Sequence, residues 1–137
     1  MAIQLELLSP HKEWCNGEYD MVVVPGSEGD LGALEGHEKT CLFLRAGVVT
    51  LFQGGEAVRN IFVSSGFAQI TPKSVTVLAS QVQEVADLSV DVARQKLETA
   101  MSALTNASAA NQADLFKLSQ EIQTAQAELH AAKELIK

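Results

Sequence analysis

The sequence predicts a β domain followed by a helical appendage, and three observations carry that expectation. Over about the first 85 residues, short apolar runs alternate with turn residues at the spacing of an all-β sandwich or barrel. Near Asp87 the apolar period lengthens from two residues to three or four, the period of a helix. With 137 residues, 47% of them hydrophobic, the chain can bury a real core. The boundary is set so that 1–86 form the β domain and 87–137 the helical one.

In chain order, Ile3, Leu5 and Leu7 alternate with Gln4 and Glu6, as in a strand with one buried face, and Ser9-Pro10 closes it. A polar turn is expected at Asn16-Gly17, then a more fully buried strand from Tyr19 to Val24. Further strands are expected at Thr40–Leu44, Val48–Phe52 and Ala57–Val63, the last two joined through Gly54-Gly55 in a hairpin of open loop length. Phe67–Ile70 and Val75–Leu78 form another hairpin around Pro72, which has no N–H for a ladder.

In the second part, Val90, Ala93, Leu97, Ala100 and Leu104 line one helical stripe with Ser89 as its N-cap. After Thr105-Asn106-Ala107-Ser108, a second stripe runs through Leu115, Leu118, Ile122, Ala125, Leu129, Ala132 and Ile136, capped by Asn111 with Asp114 three residues on. Two matched stripes with a short link predict an antiparallel helical hairpin. Its packing is expected to be modest, because the stripes are narrow and rich in alanine.

The stretch Val22–His37 joins an apolar run to four glycines, Gly26, Gly29, Gly32 and Gly36. Apolar anchors between the glycines make it a shaped connection between strands. It is no phosphate cradle: no Lys follows the glycines, and Glu28, Asp30 and Glu35 would repel a phosphate.

A net charge of −7 argues against nucleic acid and against an anionic membrane surface. No apolar run approaches a bilayer-spanning length, and no secretory leader is evident at the amino terminus, so a cytosolic setting with reduced Cys15 and Cys41 is expected. Cys41 four residues after His37 lacks a second ligand pair, so no metal or other cofactor is expected. His11, His37 and His130 have no nucleophile at a recognisable spacing, and the acids Glu28 and Asp30 read as solvated surface. A protein–protein role is therefore favoured over an enzyme.

The order of several motifs resembles the epsilon subunit of F-type ATP synthases, the counterpart of the mitochondrial delta subunit. They are Val24-Pro25-Gly26-Ser27-Glu28-Gly29-Asp30-Leu31-Gly32 through Gly36-His37, then Arg45-Ala46-Gly47-Val48-Val49, then Phe62-Val63-Ser64-Ser65-Gly66-Phe67, and Pro72 with Val75-Thr76-Val77-Leu78-Ala79. The resemblance implies a ten-stranded β-sandwich followed by an antiparallel two-helix hairpin. It implies a non-catalytic rotor subunit of the central stalk, binding the gamma subunit and the c-subunit ring and coupling proton-driven rotation to ATP synthesis. The hairpin would then be regulatory and would reach the alpha and beta subunits. The location implied is peripheral, on the cytoplasmic face of a bacterial inner membrane or the matrix side of a mitochondrial one.

Carried onto this chain, the resemblance makes Asp30, Glu28, His37 and Ser9 the contacts toward ring or stalk. The family's ATP-binding motif, I/L-D-x-x-R-A, survives in part as Val90-Asp91-Val92-Ala93-Arg94-Gln95, and the second helix carries no arginine. Asp91 and Arg94 are thus left as weak ATP contacts. The second helix, with Lys117, Lys133 and Lys137 against Asp114, Glu121, Glu128 and Glu134, is slightly acidic, which predicts weak or no inhibition of hydrolysis. The reading from a different class is a free-standing β-sandwich binding module with a helical dimerisation hairpin.

Overall fold

The computed structural model describes residues 2–106 and 112–135, in two compact units, Met1–Glu84 and Val85–Lys137. The first unit holds strands β1 (Ile3–Ser9), β2 (Lys12–Tyr19), β3 (Met21–Gly26), β4 (Gly29–Leu34), β5 (Thr40–Leu44), β6 (Gly47–Gln53), β7 (Glu56–Ile70) and β8 (Ser74–Glu84). The second holds a 3₁₀ turn (Val85–Asp87) and helices α1 (Val90–Asn106) and α2 (Gln112–Leu135).

The first unit is built on an antiparallel meander of β5–β6, β7 and β8 that bends at one level. Leu44 pairs with Gly66, and Gly66 with Ala79, on one side of the bend. Gly47 pairs with Val63, and Val63 with Val82, on the other. Arg45-Ala46 interrupts the first strand of the meander at this level. In β7 the bend falls at Ser65, whose φ is +21°, and Gly66, where an added Cβ would lie 2.0 Å from the Leu78 carbonyl oxygen.

Beyond the bend, β3 and then β4 extend β6, while before it β1, lying parallel to β8, and then β2 extend the other half. One layer is therefore β4-β3-β6 with the first part of β7 and the end of β8; the other is β5, the rest of β7 and β8, β1 and β2. Their inward side chains, among them Ile3, Leu5, Leu7, Val22, Val24, Val49, Leu51, Ile61, Val63, Ile70, Val75 and Val77, make one apolar core between the layers.

Among the described residues, eight strands thus replace the expected ten. The long strands β7 and β8 run unbroken through both layers, so runs expected as separate strands, Ala57–Val63 and Phe67–Ile70, are one. The expected turn at Asn16-Gly17 is also corrected. Both residues lie within β2, opposite Glu6 and Leu5, because Pro10-His11 already reverses the chain, with Ser9 paired to Lys12.

The glycine hairpin loop between β6 and β7 is two residues long. Gln53 faces Glu56, and Gly54 and Gly55 have φ of +64° and +80°, as a tight twisted turn demands. Its Gly54 N–H donates to Asp20 Oδ2 at 2.7 Å.

Ser89 caps α1 as expected: its carbonyl accepts from Ala93 N–H at 2.9 Å, and its hydroxyl from Val92 N–H at 3.4 Å. Of the break expected at Thr105-Asn106-Ala107-Ser108, the first two residues still belong to α1, which ends at Asn106. The Asn111 cap and the rest of the link lie outside the described residues, as does the side chain of its partner Asp114. Within the second unit, α1 and α2 pack together, and the 3₁₀ turn, with Val85 buried, lies against α2.

Candidate docking surface

The stretch Val22–His37 is the β3–β4 hairpin. Gly26 faces Gly29 across a turn at Ser27-Glu28, and Met21 faces Leu34 at the open end. An added Cβ on Gly26 would meet Gly29 O at 2.6 Å, so the close turn requires glycine there.

Arg45, from the bend, fastens this turn. Its N–H donates to the Pro25 carbonyl at 3.0 Å, its Nη1 to the Gly26 carbonyl at 2.8 Å, and its Nη2 to Asp30 Oδ1 at 2.7 Å. Ser27 N–H donates to Phe43 O at 2.8 Å, which ties the same turn alongside β5. Arg45 appears in the sequence only as part of a motif; its role comes from the bend, which places residue 45 against residues 25–30.

Asp30 and Glu28 are exposed at the turn end of the hairpin. His37 follows the opposite end, beyond the whole length of β4. There its N–H donates to Leu34 O, Gly36 N–H donates to Pro72 O, and its Nδ1 lies 2.7 Å from Glu38 O. Asp30 and His37, adjacent in the sequence pattern, are thus not brought together. Ser9 closes β1: its hydroxyl donates to the Lys12 carbonyl at 3.3 Å and accepts from Trp14 Nε1–H at 3.1 Å, with Lys12 Nζ 4.1 Å from the Trp14 ring centroid. Asp91 and Arg94 are both exposed on α1.

The feature that the sequence reading missed lies between Ser9 and the Asp30 turn. Phe43 pairs with Phe67, Phe67 with Leu78, and Leu78 with Leu8, giving a row across four strands. Phe43 is 75% exposed, Phe67 and Leu78 are 36% and 42% exposed, and Leu8 is half-buried. Alternation along each strand sends these side chains to the outer face, while their neighbours Leu44, Ala68, Val77 and Leu7 fill the core. A row of large apolar groups in solvent, flanked by polar Ser9 and the acidic turn, is the signature of a surface that meets another protein. Periodicity alone gives the outward positions but not that those of four strands stand in register.

At the far edge of the sandwich, Arg59 binds Glu84 through Nε and Nη2, and Tyr19 lies between Arg59 and Cys15, with its hydroxyl 3.6 Å from Cys15 Sγ. The Cys15 hydrogen bond, with burial, raises the Tyr19 phenol above its ordinary pKa, while the hydrogen bond to Glu84 raises Arg59. Cys15 is buried and Cys41 exposed, both as free thiols. Among the described residues no three His, Cys, Asp or Glu side chains are grouped to hold a metal ion, and no helix is long and apolar enough to cross a membrane.

Residues 2–85 match the family model for the ATP synthase Delta/Epsilon chain, beta-sandwich domain. The chain belongs to the ATP synthase delta/epsilon family. It is 37% identical over 129 residues to an ATP synthase epsilon chain of Granulibacter bethesdensis, covering 94% of this chain and 96% of that one. It is 39% identical over 132 residues to the ATP synthase epsilon chain of Gluconacetobacter diazotrophicus, covering 96% and 94%.

Among solved structures, a chain in the mitochondrial ATP synthase OSCP/F1/c-ring of Euglena gracilis superposes with a TM-score of 0.81 at 19% identity, over 97% of this chain and 82% of the other. One in the central stalk and c-ring of the Tetrahymena thermophila mitochondrial ATP synthase gives 0.65 at 12% identity, over 95% and 96%. At those identities the likeness is one of fold, whereas the epsilon relatives establish the family.

Proposed function

We propose that this epsilon-type chain is a non-catalytic rotor subunit of a proton-translocating F-type ATP synthase, peripheral to the membrane, that couples ring rotation to ATP synthesis. The apolar row Phe43, Phe67, Leu78 and Leu8 is the observation that carries the reading, as a face for the gamma subunit. A doubly layered sheet with one shared core resists shear, which suits a part that transmits torque. The acidic turn, with Glu28 and Asp30, is the edge toward the polar loops of the c ring, and Ser9 flanks the gamma face at its other end. His37, at the opposite end of the hairpin, is a separate stalk contact.

In this reading the sandwich, 1–86, binds gamma and the ring, while 87–137 is a regulatory antiparallel hairpin. The antiparallel sense is supported by Lys96, early in α1, meeting Glu128, late in α2, at 3.2 Å. Its inhibitory effect on ATP hydrolysis is weak, because α2 offers Lys117 and Lys133 against Asp114, Glu121, Glu128 and Glu134 and is acidic in balance. Asp91 and Arg94 are at most a weak ATP contact, since α2 holds no arginine to complete a triphosphate site.

The test is Phe43→Glu in the full chain, with binding to purified gamma subunit measured by calorimetry. A charge on the most exposed member of the row, desolvated on docking, should weaken binding at least about a hundredfold while leaving the thermal midpoint of the free chain unchanged. Unchanged affinity would refute the assignment of this face. Failure of the unaltered chain to bind gamma at all would refute the stalk reading and favour a free-standing module.

A further inference from the structure

In the helical unit, α1 contributes buried Ala93 and Ala100 and α2 buried Ala125 and Ala132, while Leu97, Ile122 and Leu129 are only half-buried. Alanine removes little apolar area from water, so this packing is weak for two helices of 17 and 24 residues. Among these small side chains lies Glu128, only 6% exposed. Its carboxylate accepts from Lys96 Nζ at 3.2 Å on Oε1 and 3.4 Å on Oε2. The Lys96 side chain is 55% exposed, so the acid carries nearly all the desolvation and its relief comes from one solvent-side ammonium.

We propose that the Lys96–Glu128 pair is a release catch that sets how readily α1 and α2 separate. A buried ion pair is close to break-even against apolar packing, but removal of one partner leaves an uncompensated buried charge. The closed helix pair therefore holds while Lys96 is charged and in place, and opens when that charge is lost. Conversely, an apolar residue at position 128 fastens the helices more tightly than the native acid does. This concerns contacts inside the helical unit alone and stands apart from the stalk assignment.

The experiment uses the full chain with Cys15→Ala and Cys41→Ser, carrying spin labels at the exposed positions Glu98→Cys and Gln126→Cys, and reads the distance distribution between them by pulsed electron spin resonance. The parent should give one narrow population. Lys96→Met should raise the share of a longer, broad population at least about tenfold relative to the closed one, a shift well within the effect of an unpaired buried acid. Lys96→Met combined with Glu128→Leu should restore the narrow population, and Glu128→Leu alone should slow amide hydrogen exchange in α1. An unchanged distribution in Lys96→Met, no rescue in the double variant, or faster exchange in Glu128→Leu would each overturn the proposal. Circular dichroism of each variant confirms that the helices persist, so that separation is distinguished from unfolding.

Discussion

Gly66→Ala is the perturbation that most directly tests the bend on which both layers depend. An alanine Cβ would lie 2.0 Å from Leu78 O, 2.8 Å from Ala79 Cα and 2.9 Å from Leu78 C, all backbone atoms that cannot rotate aside. Ordinary contact requires β7 and β8 to part by roughly 1.4 Å at this level, given that atoms pack at about 3.4–4 Å. That strains the ladder where Gly66 meets Ala79 and Phe67 meets Leu78. Losing one or two ladder hydrogen bonds at about 1 kcal/mol each, with an overpacking term of about 1–3 kcal/mol, predicts a loss of about 2–5 kcal/mol. For a domain of this size each kcal/mol shifts the thermal midpoint by about 4–8 °C, so the β unit should melt at least about 8 °C lower. The assay is thermal unfolding by circular dichroism, with Gly32→Ala as control, because its Cβ would have Met21 Sδ as nearest atom at an ordinary 3.4 Å. A drop of less than about 4 °C in Gly66→Ala, equal to at most about 1 kcal/mol, would refute the reasoning that the bend needs a bare backbone here.

Asp30→Ala should destabilise the isolated chain by less than about 1 kcal/mol, because its pair with Arg45 is solvent-exposed; chemical denaturation checks this, and crosslinking from Asp30→Cys to a c subunit in assembled complex checks the docking role. Tyr19 is the single tyrosine, so alkaline absorbance titration should show its ionisation above the ordinary value, and Cys15→Ala should bring it back down. Because the folded state raises this pKa, the stability that the neutral phenol contributes is present at neutral pH and is lost as pH rises through the folded value. Ser89→Ala should destabilise α1 by about 0.5–1 kcal/mol, the lower part of the capping range, since the hydroxyl bond to Val92 is long at 3.4 Å; loss of helical ellipticity at lower temperature measures it.

What the sequence by itself determined was whatever depends on local period and local backbone chemistry. The alternation of Ile3, Leu5 and Leu7, the Gly54-Gly55 hairpin, the Ser89 cap and the change of period near Asp87 each need only neighbouring residues, and the ordered motifs sufficed for the family. The count of strands was beyond it, because Ser64-Ser65-Gly66 looks like a break until β8 is seen to hold β7 together across the bend. Asn16-Gly17 misled for the same reason: an Asn-Gly pair favours a turn only if the strand opposite does not claim it. The hairpin with Asp30 and His37 was legible as a shaped connection, but their separation to opposite ends of β4 was not. Above all, the apolar row of Phe43, Phe67, Leu78 and Leu8 exists only in register. Phe43 and Phe67, 24 positions apart, and Leu8 and Leu78, 70 apart, become neighbours through hydrogen bonds between strands, and that pairing is decided by the burial of both faces of the core at once.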